Sequence, residues 1–423
     1  MLNRASRVHL GPWLVPMLYA VAAIVAEAAL PRLENYFFPH LKAELSIDSA
    51  LALYSSIASG MMALTGIVFS LTFLMVQFSA TAYSPRLVLW IARDPVLSHA
   101  LGIFTATFLY AIAALSWLDR GNSRKVLLLN ALIVVSLLLA SVGMFIALIQ
   151  RIGHLQINRM LLFTGNQGRQ VIENLYEVLT PFSVVTQPGH FARPRPAQTM
   201  LHEGRPLYLQ AVNVKRLVQL AKRHDGRIDV VTAVGDTALE GTPLLHVAGA
   251  RYPIPETELR KALELGEERT FEQDPKYAIR LLVDIAIRAL SPAINDPTTA
   301  VQALDQIGDL LLRLGRRQLE IGSFHDDSGR IRLTIPFPSW DDFLHLGFEE
   351  VLFCGARSVQ VMRRMKALAA DLLSVLPSRR HEGVKYWQQR LETSIGRSFE
   401  DTEEKLSASV EDRQGLGMTR QSA

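Results

Sequence analysis

The sequence has one cysteine, Cys354, and few charged residues in its first third. A single cysteine excludes a disulfide framework within the chain and fits a reducing compartment. The first 150 residues hold only 9 of the 44 Lys and Arg residues and 6 of the 40 Asp and Glu residues. The remainder is nearly balanced in charge, so no basic patch indicates a nucleic-acid partner.

The sequence also lacks the common motifs of catalysis and cofactor binding. It has no phosphate-binding glycine loop, no dinucleotide fingerprint, no G-x-S-x-G, no H-E-x-x-H and no C-x-x-C. Its 11 histidines are scattered, and the only tight group, His325-Asp326-Asp327, has the composition of a solvated turn. We therefore predict no metal site, no cofactor and no enzymatic activity. Cys354, in the apolar segment VLFCGA, is expected to be packed rather than nucleophilic.

Long apolar runs are present, and they are concentrated near the N-terminus. A helix needs about 20 apolar residues to cross about 30 Å of hydrocarbon. Four windows meet this requirement, at residues 13–30, within 49–85, at 97–118 and at 126–150. We interpret them as four membrane-spanning helices. The alternative for the first window is a cleaved signal peptide, because Arg4 and Arg7 precede it and Ala26-Glu27-Ala28 resembles a cleavage site.

The positions of the charged residues bear on topology and on transport. The loops on the side of the N-terminus carry seven Lys and Arg residues against five on the other side, which favours cytoplasmic termini. No Asp, Glu, Lys or Arg lies in the middle of a span, and Glu27 is expected to reach the membrane interface. Since proton-coupled carriers usually need an intramembrane carboxylate or histidine, a passive pore or a non-transporting protein is favoured.

The helix predicted for the second window, labelled α2, carries a stripe of small and polar residues, here called the α2 stripe. At helical spacing one face collects Ser55, Ser59, Ala63, Gly66, Ser70, Phe73, Gln77 and Thr81. One interpretation is close helix packing, because Ser59-x-x-x-Ala63 and Gly66-x-x-x-Ser70 fit the small-xxx-small pattern. The other is a water-lined path for ions around the axis of an oligomer. Because the window is longer than the bilayer is thick, the helix is expected to project, tilt or kink at Gly60 or Gly66.

Beyond residue 150 the sequence predicts a helix-rich α+β part. The helical pattern continues to about Leu179, which predicts a linking helix within residues 151–180. Residues 181–255 predict a small mixed unit, with strands at 207–212 and 227–232 and a helix at 214–223 that Asn213 caps. Residues 256–412 predict a helical domain. Residues 1–12 and 413–423 are expected to be a cytoplasmic N-terminal segment and a disordered tail.

One predicted helix of the helical domain carries a charge ladder. Residues 277–290 are apolar on most faces, which predicts a central place in the core. Arg280, Asp284 and Arg288 follow one another on this helix at intervals of four. The ladder is either an anion or lipid-headgroup site or an internal ion-pair ladder that serves structure, and the spacing favours the second reading.

The next connection, SPAINDPTTA at residues 291–300, is a second candidate site. Asp296 is predicted to cap the following helix and Pro297 to occupy its first position. This cap explains the neighbouring residues but leaves Asn295 without a role. Asn295 and Asp296 are therefore kept as a candidate polar loop for a cation or a polar ligand.

Several long segments together resemble one known family. They are GIVFSLTFLMVQFSATAYSPR, the run from YLQAVNVKRLVQLAKRHDG to GTPLLHV, and DPKYAIRLLVDIAIRALSPAINDPTTAVQALDQIGDLL. With the four N-terminal spans, they are similar to the bacterial predicted membrane proteins grouped as domain of unknown function 2254. The resemblance covers roughly residues 15–376, and ALSPAINDPTTA is its most specific part. It implies a bacterial inner-membrane location and a multi-span architecture, but no activity and no catalytic residues.

The sequence thus predicts a mainly α membrane protein, with four transmembrane helices followed by a cytoplasmic, helix-rich α+β domain. Four spans make a poor pore alone, so we expect a homo-oligomer in the lipid bilayer. The favoured function is a channel or permeation pathway for ions that the cytoplasmic domain regulates. The alternatives are a non-transporting scaffold or sensor, and then a membrane-anchored enzyme that would be sensitive at Arg280, Asp284 or Asn295.

Overall fold

The computed structural model describes residues 14–37, 42–43, 46–82, 95–120, 126–153, 157–179 and 196–417, apart from some side chains near helix ends. The predicted N-terminal segment at 1–12 and residues 418–423 lie outside the described residues. The chain divides into two compact units between Gln156 and Ile157, here called the N-terminal and C-terminal units.

The described residues of the N-terminal unit form four helices and a short ribbon. The elements are α1 Leu14–Phe37, β1 Lys42–Ala43, α2 Ile47–Ala82, α3 Pro95–Arg120, β2 Val126–Leu127 and α4 Leu128–Gly153. The two strands pair antiparallel, so the connection after α1 lies beside the connection after α3. Helices α1 and α3 therefore run in the same direction, and α2 and α4 run back.

Helix α3 lies at the centre of this unit, with α1, α2 and α4 packed against it. Small residues allow the close approach: a Cβ added to Gly102 would lie 2.6 Å from Cδ2 of Tyr19 on α1. Thr107 on α3 and Ser141 on α4 are both buried, and their hydroxyl oxygens lie 2.9 Å apart. Hydrogen bonds between hydroxyl groups are common between membrane helices, where water is not available as a partner.

Among the described residues, three helices are long and apolar enough to cross a membrane, over Ile47–Leu74, Pro95–Ser116 and Asn130–Gln150. The apolar part of α1, Leu14–Leu30, is shorter, so the prediction of four spans is not confirmed at the first helix. Helix α2 has 36 residues and continues through Gly60 and Gly66 without a break. Its length of about 54 Å exceeds the hydrocarbon thickness.

The C-terminal unit has a central helix, α8, Pro275–Ala289. The others are α5 Ile157–Leu175, α6 Val214–Arg223, α7 Glu256–Arg260, α9 Pro297–Gly315, α10 Trp340–Gly355, α11 Val359–Val375, α12 His381–Ser398 and α13 Thr402–Ala408. Helices α5, α9 and α10 pack on α8. Most α8 side chains are buried, which confirms the central place that the apolar pattern of this helix predicts.

The described residues of the C-terminal unit also form two sheets. Their strands are β3 Gln198–Leu201, β4 Leu207–Val212, β5 Arg227–Val230, β6 Thr237–Ala238, β7 Pro243–Ala248, β8 Leu263–Gly266, β9 Ser323–His325 and β10 Ile331–Thr334. The orders are β3-β7-β5-β10-β9 and β6-β4-β8. Strand β10 pairs parallel with β5, and β8 pairs with β4. Both pairings cross the predicted boundary between residues 255 and 256, so the described residues on its two sides form one unit.

Two further predictions differ from the structure of the C-terminal unit. The helix predicted to continue to Leu179 ends at Leu175, because Val178 forms an isolated β-bridge with Arg317. Helix α5 buries Met160 and Ile172 within this unit. Residues 413–417, predicted to begin a disordered tail, are held in place: Arg413 pairs with Asp371 of α11 at 2.5 Å.

Candidate functional site

The α2 stripe lies on the exposed side of its helix. The opposite side is buried in the core of the N-terminal unit through Tyr54, Ile57, Met61 and Val68. The exposed residues of the stripe are Ser55, Ser59, Ala63, Gly66, Ser70, Phe73 and Gln77, while the side chain of Thr81 lies outside the described residues. A Cβ added to Gly66 would meet no atom within 4 Å. Among the described residues, the stripe is therefore not a packing face within one chain.

Two sets of hydroxyl groups on α2 have different hydrogen-bond partners. Ser56, Thr65 and Thr72, which lie off the stripe, each donate to the carbonyl oxygen four residues earlier at 2.7 Å. The described hydroxyls of the stripe belong to Ser55, Ser59 and Ser70, and they form no hydrogen bond with the described residues. These groups remain available to another chain or to water.

In the charge ladder on α8, the first residue, Arg280, is paired with two carboxylates. Arg280 donates from Nε to Asp284 at 2.8 Å, and from Nη1 and Nη2 to both carboxylate oxygens of Glu350 on α10, at 2.5 and 2.9 Å. Two carboxylates thus take up most of the guanidinium donors and neutralise its charge. Sequence reasoning missed Glu350, because its partner lies 70 residues away and no spacing rule connects them.

Arg288, the last residue of the ladder, is not paired in the way that Arg280 is. It is half-buried and forms no ion pair or hydrogen bond with the described residues. Asp284, four residues earlier, is instead paired with Arg280. The ladder therefore ties α8 to α10 at Arg280, and of its two arginines only Arg288 keeps its donors for an anion.

The ion pair with Arg280 predicts a stability contribution that depends on pH. The hydrogen bond from Arg280 lowers the pKa of Glu350 from its ordinary value of 4.5. A carboxyl group whose pKa is lower in the folded state stabilises the fold, and this stabilisation is complete when the pH is above the pKa of the unfolded state. It is lost as the pH falls through the pKa of the folded state. We expect Glu350→Gln to cost about 0.5–1 kcal/mol at neutral pH, since Glu350 is partly exposed. The loss should shrink below about pH 4.

Acid unfolding of the full-length protein, followed by circular dichroism, measures this difference. Glu240→Gln is the control, because Glu240 is an exposed glutamate in the turn between β6 and β7. A Glu350→Gln penalty that is equal at pH 3 and pH 7 would contradict the ion-pair account.

The candidate polar loop has a conformational explanation. Asp296 caps α9 as predicted, accepting from Thr299 N at 3.1 Å and from Thr299 Oγ1 at 2.6 Å. Asn295 has φ of 49°, in the left-handed region that asparagine tolerates better than most residues. Its N–H donates to the Ser291 carbonyl at 2.9 Å and closes the turn after α8. The position of Asn295 is thus explained by the backbone conformation of the turn, and its side chain is exposed.

Glu27 differs most from its predicted setting. It was expected to reach the membrane interface, but only 2% of its surface is exposed. The sequence places Pro31 and Arg32 just beyond it, which suggested the end of a span. In the structure α1 continues to Phe37, so Glu27 lies well inside the helix.

Cys354 also departs from expectation, because it is exposed rather than packed. Partial desolvation and the nearby Glu350 carboxylate raise the pKa of its thiol, which disfavours the reactive thiolate. Within the described part of the chain, no group of three or more His, Cys, Asp and Glu side chains could hold a metal ion. Asp326, in the predicted solvated turn, instead accepts from Arg332 at 2.7 Å.

Comparison with known proteins is consistent with an apolar N-terminal unit in a membrane. The family model described as "Predicted membrane protein (DUF2254)" matches residues 11–371. The chain is 31% identical over 343 residues to uncharacterized protein Mb1321c of Mycobacterium bovis and to uncharacterized protein Rv1290c of Mycobacterium tuberculosis. Each alignment covers 77% of this chain and 64% of the relative, so the chain spans less than two thirds of these relatives.

No solved structure matches the chain. The family match, in contrast, includes all the apolar helices and most of the C-terminal unit, up to α11. The resemblance in the ALSPAINDPTTA segment and in the apolar windows is thereby confirmed. The chain belongs to the family of predicted membrane proteins with domain of unknown function 2254.

Proposed function

We propose that this protein is an oligomeric channel of the bacterial inner membrane, with a permeation path lined in part by the α2 stripe and regulated by a cytoplasmic C-terminal unit. The observation that carries the proposal is the arrangement of α2. One face is buried in its own chain, and the other presents small residues and hydroxyls that have no hydrogen-bond partner among the described residues.

The path requires α1 to cross the bilayer as a fourth span. The β1–β2 ribbon supports this, because it brings the end of α1 to the end of α3. Since α3 is long enough to cross and runs parallel to α1, the two helices begin on the same side. The apolar part of α1 has 17 residues, which is at the short end of the range for a span. The excess of Lys and Arg in the loops then favours cytoplasmic termini.

An exposed stripe of this composition is costly against lipid. Polar groups in hydrocarbon require partners, and lipid supplies none. Association of several copies through α2 would bury the small residues, and a central axis would hydrate Ser70 and Gln77. The second candidate function, a non-transporting scaffold or sensor, also involves association of several copies through α2. It is favoured by the same small-xxx-small spacing, but it lacks the hydrated axis.

Ser70→Leu is expected to abolish ion flux into liposomes, because a bulky apolar side chain would close and dry the path. Gln77→Leu should act in the same direction. The mass of the particle in lipid nanodiscs, measured by native mass spectrometry, establishes first whether copies associate. Gly66→Leu adds a bulky side chain where the α2 helices of neighbouring copies would pack closely, so it should weaken assembly itself.

Gly143→Leu is the matched control for these variants. Gly143 is an exposed glycine of α4 with no atom within 4 Å of an added Cβ, but it lies outside the stripe. We expect it to keep both assembly and flux. A monomeric particle, or an oligomer without flux in any variant, would overturn the channel. The oligomer without flux would favour the scaffold.

A further inference from the structure

Helices α8 and α10 of the C-terminal unit meet along one exposed edge. Arg280 of α8 is paired with Glu350 of α10. Further along, a Cβ added to Gly355 of α10 would lie 3.3 Å from Cδ1 of Leu290, just after α8. Both contacts advance in the same direction along the chain, so the two helices end side by side. The surface beyond the ion pair is here called the α8–α10 edge, and its residues are Arg288, Ile294, Phe353, Cys354 and Arg357.

The α8–α10 edge exposes large apolar side chains. Phe353 is 85% exposed, more than any other large hydrophobic residue that the structure describes. Cys354 beside it is also exposed, and Ile294, in the turn after α8, is 43% exposed. Exposed apolar patches with a polar rim commonly mark sites that bind a membrane or a protein.

Two arginines on the same edge have uncompensated charges. Arg288 is half-buried, and Arg357, in the connection between α10 and α11, is exposed. Neither side chain forms an ion pair or a hydrogen bond with the described residues. Each arginine lies two residues from the contact between Leu290 and Gly355, so both belong to the place where the helices end.

The carboxylates near this edge already have partners. Asp284 and Glu350 pair with Arg280 at 2.6 and 2.5 Å. Glu349 lies 2.6 Å from Nε2 of His345. The two arginines of the edge are therefore left for a partner outside the chain, and a partner that covers them needs negative charge.

The charges decide among three kinds of partner. A second copy docked by this edge across a two-fold axis would bring arginines against arginines, which is unfavourable. A neutral apolar partner would leave Arg288 desolvated and unpaired. A bilayer with anionic lipids meets both requirements, because its headgroups carry phosphates and the layer below them accepts apolar side chains.

We propose that the α8–α10 edge binds the surface of a bilayer that contains anionic lipid. Phe353 and Ile294 enter the boundary between headgroups and acyl chains, and Arg288 and Arg357 donate to lipid phosphates. A small patch is sufficient, because the chain itself joins the C-terminal unit to the apolar helices and keeps lipid at a high effective concentration. This contact goes beyond the proposed channel and does not depend on a path along α2.

The single cysteine allows a test in the full-length protein. A nitroxide label on Cys354 reports its depth through collisions with oxygen, which concentrates in hydrocarbon, and with a neutral nickel chelate, which stays in water. In nanodiscs that contain phosphatidylglycerol, the label should lose most of its collisions with nickel and gain collisions with oxygen. In phosphatidylcholine alone, or at about 1 M salt, where the Debye length is about 3 Å, it should return to water.

Variants of the edge separate its two contributions. Arg357→Gln and Phe353→Ser should each reduce the protection from nickel in phosphatidylglycerol. Arg316→Gln is the matched control, because Arg316 is an exposed arginine after α9 whose side chain also has no partner among the described residues. It should leave the protection unchanged. A label on Tyr252→Cys in the Cys354→Ser background should stay accessible to nickel in both lipids, since Tyr252 lies on the loop after β7.

The comparison of lipids in the wild-type protein is decisive even if a variant folds poorly. A label at the same depth in both lipids overturns the proposal, whether it lies in water or in hydrocarbon. Protection that persists in detergent, with a short distance between labels on two copies, would assign the edge to a second copy and also overturn it. Failure of the channel would appear in the flux and mass measurements and would leave the depth of this label unchanged.

Discussion

Gly235→Ala is expected to destabilise the C-terminal unit by at least about 3 kcal/mol. Gly235 has φ of +89°, which costs a residue with a Cβ roughly 1–2 kcal/mol. An added Cβ would also collide with the carboxylate of Asp274, at its Oδ2 atom. That carboxylate is 1% exposed, caps α8 by accepting from Tyr277 N, and receives two hydrogen bonds from Arg269. Displacing it would disturb a buried ion pair and the start of the central helix together.

Gly204→Ala provides the matched control for this prediction. Gly204 has the same φ of +89°, but an added Cβ would meet no atom within 4 Å. The difference between the two variants therefore isolates the contact with Asp274 from the backbone strain. Hydrogen exchange of α8 peptides and thermal unfolding of the full-length protein measure both. Equal losses of stability in the two variants would mean that Asp274 relaxes freely.

Gly102→Val is expected to cause the largest loss of stability in the N-terminal unit, because it would displace α1 from α3. The Cβ would lie 2.6 Å from Tyr19 Cδ2 and 3.0 Å from Cγ, so the ring must move. The move would break the bond between Tyr19 and His99. Overpacking of this kind costs about 1–3 kcal/mol. The temperature at which the detergent-solubilised protein loses its folded gel-filtration peak should fall accordingly.

A double-mutant cycle makes the Gly102 prediction specific. If the valine acts through the Tyr19 ring, Tyr19→Ala should relieve much of its cost, so the two changes should not add. Gly143→Val, at an open position on α4, should change the transition little. Additive losses from Gly102→Val and Tyr19→Ala would place the damage elsewhere on α3.

Local features of the C-terminal unit could be predicted because their partners are close in sequence. Asn213 accepts from Arg216 N and Asp296 accepts from Thr299 N, each across three residues. Strand β4 and helix α6 likewise lie at the predicted residues. The role of Asn295 could not be predicted in the same way, because the sequence indicates its left-handed φ only weakly.

Long-range pairings could not be predicted from sequence. Strand β10 lies beside β5, and Glu350 lies beside Arg280, although each pair is widely separated along the chain. Neither periodicity nor turn chemistry specifies such partners, because both report only on neighbours within a few residues. The predicted boundary at residues 255 and 256 was wrong for this reason.

The α2 stripe and Glu27 show where the sequence alone is sufficient and where it is not. The sequence by itself determined that a long apolar helix carries small and polar residues on one face, because helical periodicity orders side chains around a single axis. Only the tertiary structure decided which face meets the rest of the chain: α3 takes the face with Tyr54 and Met61, and the stripe stays exposed. It also decided that Glu27 is buried, because the packing of neighbouring helices, rather than the composition of α1, excludes water from that carboxyl group.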